Sequence, residues 1–169
     1  MMLDTAGRVR YRQGDFAGAE QYLWSAYAIA PSIDMSLHLS ATLLKLGRVD
    51  EALKYFAAVS ANPVSSEVQR DFAKVLGGDA ELESRVKAIQ AAPKGPTLRV
   101  TVLVDEHGKV LDANSADAPE TLLKQAQALT LPGIAWADFA LRSIRTVEFD
   151  QQGAEWVVAR SLVRTSAVP

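Results

Sequence analysis

The chain has 169 residues, of which 49% are hydrophobic and 22% charged, and it contains no cysteine. This composition is typical of a globular protein with one domain or two small ones, and it excludes disulfides, thiolate metal ligands and a cysteine nucleophile. The formal net charge is −2, so the chain lacks the basic excess that binds phosphates, and we expect no nucleic-acid partner.

The first half of the chain repeats itself at an interval of 33 residues, as the segments that begin at Gly14 and Gly47 show. The matched positions are Gly14 and Gly47, Phe16 and Val49, Ala19 and Ala52, Leu23 and Phe56, and Ala26 and Val59. Their apolar members recur at steps of three and four residues, which indicates an amphipathic helix after each glycine. Each unit is therefore predicted to be a helical hairpin, whose second helix ends at Pro31 or Pro63.

A third, weaker helical pair follows the two repeats. The sequence predicts one helix from Ser65 to Leu76, a break at Gly77 and Gly78, and a second helix capped by Asp79 that runs to Ala91. This pair is either a degenerate repeat or a cap over the end of the array.

The order of residue types in the first unit resembles the tetratricopeptide repeat. The residues that carry this resemblance are Gly7, Gly14, Phe16, Ala19, Leu23, Ala26 and Pro31. The second unit departs from the pattern at Val49 and Val59. The resemblance implies a concave groove lined by first helices, with Arg8, Tyr11, Arg12, Leu37, His38, Ala41, Leu44 and Lys45 as the peptide-binding residues. Such a cationic groove would suit an extended peptide with a carboxylate; the alternative is that these residues are ordinary exposed charges with aliphatic stems.

The hydrophobic period changes from 3.6 to 2 beyond a linker predicted at residues 93–96. The alternation over Leu98–Val104 predicts a half-buried strand, followed by a glycine turn and a returning strand over Lys109–Asn114. The remaining predicted elements are a helix over 119–129, a break at Pro132 and Gly133, a helix over 136–145, and strands over 146–149 and 155–163.

This second half resembles the TonB C-terminal domain of energy-transducer proteins. The resemblance is carried by the hairpin around Asp105 and Gly108, and by a helix Phe139–Ile144 that leads into the strand Val147–Phe149 and its Gly153 turn. There are two departures: Asp150 and Gln151 stand where that family usually has proline, and the segment 119–135 is long for the link between the hairpin and the helix. The resemblance implies that partners add to a sheet edge, and the last strand is the expected edge. Its candidate binding residues are Trp156, Val158, Arg160 and Leu162; Arg160 and Arg164 could instead guard the edge, and self-pairing could give a homodimer.

Residues that carry catalytic chemistry are sparse. Neither of the two histidines, His38 and His107, has a second histidine at helical spacing, so a surface role is expected for both. No nucleophile elbow, zinc-protease motif or phosphate loop occurs. We therefore expect no enzyme, metal or cofactor. The aromatic residues Trp136, Phe139, Phe149 and Trp156 are expected in a core rather than on a stacking platform.

These patterns predict an α+β chain, with tetratricopeptide-like hairpins over residues 1–92 and a ββα(α)ββ domain with an antiparallel sheet over 97–169. The functional hypothesis is a non-catalytic adaptor that binds proteins or peptides in the bacterial cell envelope, in the periplasm or alternatively the cytoplasm. The alternative is the soluble periplasmic part of a TonB-like transport or secretion machine. No membrane span and no signal peptide are expected within the chain.

Overall fold

The computed structural model describes residues 2–92, 95–131 and 142–163. The chain divides into two compact units, residues 1–92 and residues 93–169, here called the helical unit and the sheet unit. The fold is α+β, with helices at the N-terminal end and a four-stranded antiparallel sheet in the second unit. The predicted breaks at Pro93–Lys94 and at Pro132–Gly133 lie outside the described residues.

The helical unit is a succession of antiparallel helix pairs. Its elements are α1 (Met2–Arg12), α2 (Phe16–Ile29), α3 (Ile33–Lys45), α4 (Val49–Ala57), a 3-10 turn (Pro63–Ser65), α5 (Ser66–Leu76) and α6 (Asp79–Ala91). Helix α1 packs on α2, α3 on α4, and α5 on α6, while α3 also contacts α1, α2 and α5. The first helices of the three pairs are therefore neighbours, with α3 in contact with both α1 and α5.

The turns inside the first two pairs have the same backbone hydrogen bonds, 33 residues apart. The N–H of Asp15 donates to the carbonyl of Arg10, and the N–H of Arg48 donates to that of Leu43. Gly14 and Gly47 occupy the left-handed region at φ +81° and +76°, which glycine enters without steric cost. The sequence repeat is thus also a repeat of backbone conformation.

Small residues allow the paired helices to approach each other closely. Ala19 and Ala52 are fully buried, and Leu23 and Phe56 fill the space beside them. The third pair differs from its prediction at the start of each helix, since α5 begins at Ser66 rather than Ser65. Asp79 is the first residue of α6 rather than its cap, and Gly78 holds the N-cap position at φ 145°, a backbone conformation that an aspartate could not adopt without strain.

The sheet unit contains β1 (Thr97–Val104), β2 (Val110–Asn114), α7 (Glu120–Gln127), β3 (Ser143–Gln152) and β4 (Glu155–Val163). The strand order is β2-β1-β3-β4, and every neighbouring pair is antiparallel. The bounds predicted for the last strand are confirmed, and the first hairpin is confirmed with β2 beginning one residue later, at Val110.

One face of this sheet forms the core of the unit. Val100, Val102 and Val104 alternate with accessible residues along β1, which confirms the period of 2. Leu122 and Ala126 of α7 are fully buried in the same cluster. Phe149 is buried there and Trp156 packs against it, so the core role predicted for these two aromatics is confirmed; Trp136 and Phe139 lie outside the described residues.

The helix predicted over 136–145 is wrong at its C-terminal end, because Ser143–Arg145 belong to β3; residues 136–141 lie outside the described residues. Arg145 is 1% exposed and pairs with Val102 on the core side of the sheet. Burial lowers the pKa of its guanidinium to about 10. A charged residue at a core-facing position interrupts the alternation of apolar and polar residues, so the sequence pattern indicated a strand only from Thr146 onward.

Candidate functional site

The three neighbouring first helices of the helical unit enclose a groove, here called the α1–α3–α5 groove. Its volume is about 320 Å³. The residues that line it are Arg8, Tyr11, Arg12, Leu23, Leu37, His38, Ala41, Glu67, Val68 and Asp71. Side chains from α1, α3 and α5 all reach the groove because α3 lies in contact with both other helices.

Most of the groove residues named from the sequence lie together in this groove. They are Arg8, Tyr11 and Arg12 on α1 and Leu37, His38 and Ala41 on α3. The other two are placed differently. Lys45 does not line the groove, but its Nζ lies 3.4 Å from the Oδ2 of Asp71, which does. Leu44 is 7% exposed and belongs to the buried core cluster.

Helix α5 contributes a side of the groove that the sequence interpretation missed. Glu67, Val68 and Asp71 all come from this helix, which had been predicted as a degenerate repeat or a cap. The repeat itself was the available signal. If the third helical pair stacks on the second in the way that the second stacks on the first, α5 lies beside α3. The groove assigned from two repeats was therefore incomplete.

His38 takes part in a contact that spacing along one helix did not predict. Its Nδ1 lies 2.9 Å from the Oδ1 of Asp4, and both side chains are mostly buried, at 32% and 18% exposure. The carboxylate belongs to α1 and is 34 residues away in the sequence, so a search at three- and four-residue helical steps could not find it. This contact joins α1 to α3 at the groove, and the surface role expected for His38 is corrected to a partly buried one.

The groove carries opposite charges on its two outer helices. Arg8 and Arg12 on α1 are exposed, and within the described part of the chain neither has a carboxylate at ion-pair distance. Asp71 on α5 interacts with Lys45 and, at 4.0 Å, with Lys74, whereas Glu67 has no ion pair among the described residues. Burial raises the pKa of Tyr11; Lys45 acts against this shift, and the carboxylates of Asp71 and Glu67 add to it.

The strand edge assigned from the sequence is the outer edge of the sheet, since β4 is last in the strand order. The four residues named there do not share a face. A register shift between Glu148 and Phe149 makes Val158 the partner of Phe149 and Arg160 the partner of Glu148, so β4 has an extra residue, Ala159, at a bulge. Trp156 and Val158 pack toward the core, whereas Arg160 bonds Glu148 on the opposite face and Leu162 pairs with Thr146 there.

Part of this edge is already occupied by a side chain. The N–H of Gln151 donates to the carbonyl of Pro96, on the β1 side. Because Gln151 pairs with Trp156, and the N–H and C=O of a strand residue point the same way, the carbonyl of Trp156 points away from β3. The Nε2 of Gln125 donates to that carbonyl at 2.7 Å. A bulge and a capped carbonyl are both features that protect an edge strand. Arg164, also named as a guard, lies outside the described residues.

An ion-pair row crosses the sheet on the face away from α7. Glu148 is 7% exposed, and it accepts hydrogen bonds from Arg160 on β4 and from the Nε of Arg99 on β1, the latter at 2.9 Å. The hydrogen bond from Arg160 is the largest cause of a lowered pKa at Glu148, burial opposes it, and Arg99 lowers the pKa further. This row holds three strands together and leaves no unpaired acid for general acid–base chemistry at that position.

Over the residues that the structure describes, no three His, Asp or Glu side chains gather as a metal site would require. Within the same residues, no helix has both the length and the apolar character to cross a membrane. Comparison with known proteins gives no similarity: no protein-family model, no curated protein and no solved structure matches the chain.

Proposed function

We propose that this protein is a non-catalytic adaptor whose α1–α3–α5 groove binds an extended peptide segment of another protein. The observation that carries the proposal is the groove itself, to which three successive first helices all contribute side chains. In this proposal the helical unit is a tetratricopeptide-like array, and the sheet unit is a TonB C-terminal-like domain that acts in the bacterial cell envelope.

Peptide binding is favoured because the groove combines an apolar floor with charges on its sides. Leu37, Ala41 and Val68 supply apolar surface, and Arg8 and Arg12 are exposed cations on one side. Stacked helical pairs characteristically present such concave surfaces to extended partners. Guanidinium groups one helical turn apart can donate several charge-assisted hydrogen bonds to a peptide carboxylate.

The experiment is a selection of peptides of about 12 residues, displayed on phage, against the immobilised full chain. A matched selection uses the variant Ala41→Arg, whose long side chain would fill the groove. We expect families of peptides that bind the unaltered chain and not the variant. For these peptides, Arg8→Glu combined with Arg12→Glu should weaken binding about tenfold or more, whereas Lys54→Glu combined with Arg70→Glu, outside the groove lining, should not. Peptides that bind Ala41→Arg equally well would overturn the groove as the binding site.

A second candidate function is strand addition at the outer edge of β4, for which the terminal position of this strand in the sheet is the support. The partner would be a protein segment or a second copy of the chain, and the protein would then work as the periplasmic end of a transport or secretion machine. Because the edge is capped at Trp156 and bulged at Ala159, the stretch Ser161–Val163 is the part most open to pairing. Val158→Pro should abolish an interaction that extends along the whole of β4, and Val163→Pro should abolish one confined to Ser161–Val163. An interaction unaffected by both substitutions would exclude the edge.

A further inference from the structure

The two outer helices of the α1–α3–α5 groove carry paired charges of opposite sign. Arg8 and Arg12 lie four residues apart on α1, and Glu67 and Asp71 lie four residues apart on α5, so each pair is on one face of its helix. All four side chains line the same groove. In the described part of the chain, no ion pair joins Arg8 or Arg12 to Glu67 or Asp71.

The position of α3 keeps these charges apart. Because α3 contacts both α1 and α5, the outer helices are separated by two helix spacings, or roughly 16–20 Å between axes. Burial is the largest cause of the raised pKa of Tyr11 on α1, and the carboxylates of Asp71 and Glu67 on α5 add to it, so the negative charges of α5 act across the groove. The groove therefore has a positive side and a negative side, and its own residues do not neutralise them across the gap.

We infer that the groove recognises a peptide segment that carries an acidic side chain at one end and a basic side chain at the other, bound in one direction. The acidic residue lies against Arg8 and Arg12, and the basic residue lies against Glu67. An extended chain advances about 3.3 Å per residue, and the arginine and glutamate side chains reach inward, so the two charges in the peptide are roughly three to six residues apart. Apolar residues between them meet Leu37, Ala41 and Val68. This inference rests on the proposed function, because it specifies the partner of the same groove.

Charge complementarity also selects against other partners. A uniformly acidic segment would be attracted by α1 and repelled by Glu67 and Asp71, and a uniformly basic segment would meet the reverse situation. Glu67 is the more informative of the two acidic residues, because Asp71 is engaged with Lys45 and Lys74. Substitution of Glu67 changes the negative side without breaking any ion pair among the described residues.

The test compares peptide selections on three forms of the full chain: unaltered, Glu67→Lys and Gln69→Lys. Gln69 is exposed on α5 two residues from Glu67 and does not line the groove, so its substitution controls for the added positive charge. Peptides selected on the unaltered chain and on Gln69→Lys should carry an acid and a base in a constant order. Peptides selected on Glu67→Lys should lose the base and gain a second acid. A synthetic peptide with the same composition in reversed order should bind about tenfold more weakly.

The outcomes separate this inference from the proposed function. Peptides that bind the groove but carry charges in no constant order, or that are unchanged by Glu67→Lys, overturn the charge polarity and leave the peptide groove standing. If no peptide distinguishes the unaltered chain from Ala41→Arg, the proposed function and this inference both fail. Far-ultraviolet circular dichroism of each variant establishes that it is folded before its selection is interpreted.

Discussion

Gly7 on α1 lies directly against Leu23 on α2, so that a Cβ atom at Gly7 would be 2.5 Å from the Cγ of Leu23 and 3.2 Å from its backbone nitrogen. We expect Gly7→Ala to destabilise the helical unit by about 1–3 kcal/mol, because overpacking would force α1 away from α2. This direction is opposite to helix propensity, which favours alanine over glycine by about 1 kcal/mol. Urea unfolding followed by circular dichroism measures the change.

Val9→Ala on the same helix is the control for that prediction. Val9 is 49% exposed, so its truncation should change the free energy of unfolding by no more than about 0.5 kcal/mol. If Gly7→Ala were as harmless as Val9→Ala, or stabilising, the close contact between α1 and α2 would not exist in solution.

The helical pairs could be predicted from sequence periodicity because equivalent residues of the two repeats have the same structural role. Gly14 and Gly47 each adopt a positive φ after a helix, and Ala19 and Ala52 each allow a close helix contact. The alternation along β1 predicted its buried face for the same reason, since Val100, Val102 and Val104 need only be apolar and two residues apart. Residue type and spacing along the chain were sufficient for prediction wherever the structural requirement involved only neighbouring residues.

Features that depend on contacts between distant residues could not be predicted in this way. The contact between Asp4 and His38 joins two helices, and Glu67 enters the groove only because α5 stacks beside α3. Arg145 is buried at a core-facing strand position where the pattern called for an apolar residue. The bulge at Ala159 arises from the pairing of β3 with β4, and it determines which edge residues share a face.

The equivalent turns at Gly14 and Gly47 predict equal and additive effects of substitution. At both positions φ is positive, and a Cβ would meet no atom within 4 Å, so the cost of Gly→Ala is purely conformational. We expect each substitution to lower the free energy of unfolding by about 1 kcal/mol and the double variant by about 2 kcal/mol. Asparagine, which tolerates the left-handed region better, should cost less at each site. Costs that differ widely between Gly14→Ala and Gly47→Ala would show that the two turns are not equivalent.

Glu148 predicts a specific sensitivity of the sheet unit to acid. Its pKa in the folded state lies below the usual value of 4.5 because Arg160 and Arg99 donate to the carboxylate. The stabilisation is therefore complete above about pH 4.5 and is lost as the pH falls through the folded pKa. Glu148→Gln should reduce the free energy of unfolding near pH 7 by about 1–2 kcal/mol, a small effect because both arginines are partly solvated. The variant should also lose less stability than the unaltered chain as the pH falls. Amide hydrogen exchange of β3 and β4 measures both effects.

Glu155→Gln is the matched control for Glu148. Glu155 is the first residue of β4, in the same hairpin as Glu148. It is exposed and has no ion pair among the described residues. Its substitution should leave the pH dependence of exchange unchanged. An acid decline that persists in full in Glu148→Gln would assign the acid sensitivity to other carboxylates.

Two adjacent residues of β4 should respond very differently to proline. Val157 pairs with Asp150, and Val158 pairs with Phe149. Since the N–H of Gln151 points to the β1 side and successive residues of a strand alternate, the N–H of Val157 points to β3 and that of Val158 points outward. Val157→Pro removes a hydrogen bond of the ladder and should cost about 3 kcal/mol or more, whereas Val158→Pro should cost about 1 kcal/mol, mainly through lost side-chain packing. Hydrogen exchange of the β3 amides distinguishes the two variants. Equal protection of the β3 amides in the two variants would refute the register of the last hairpin. If β3 stays protected in Val158→Pro, that variant is folded and can be used to test binding at the edge.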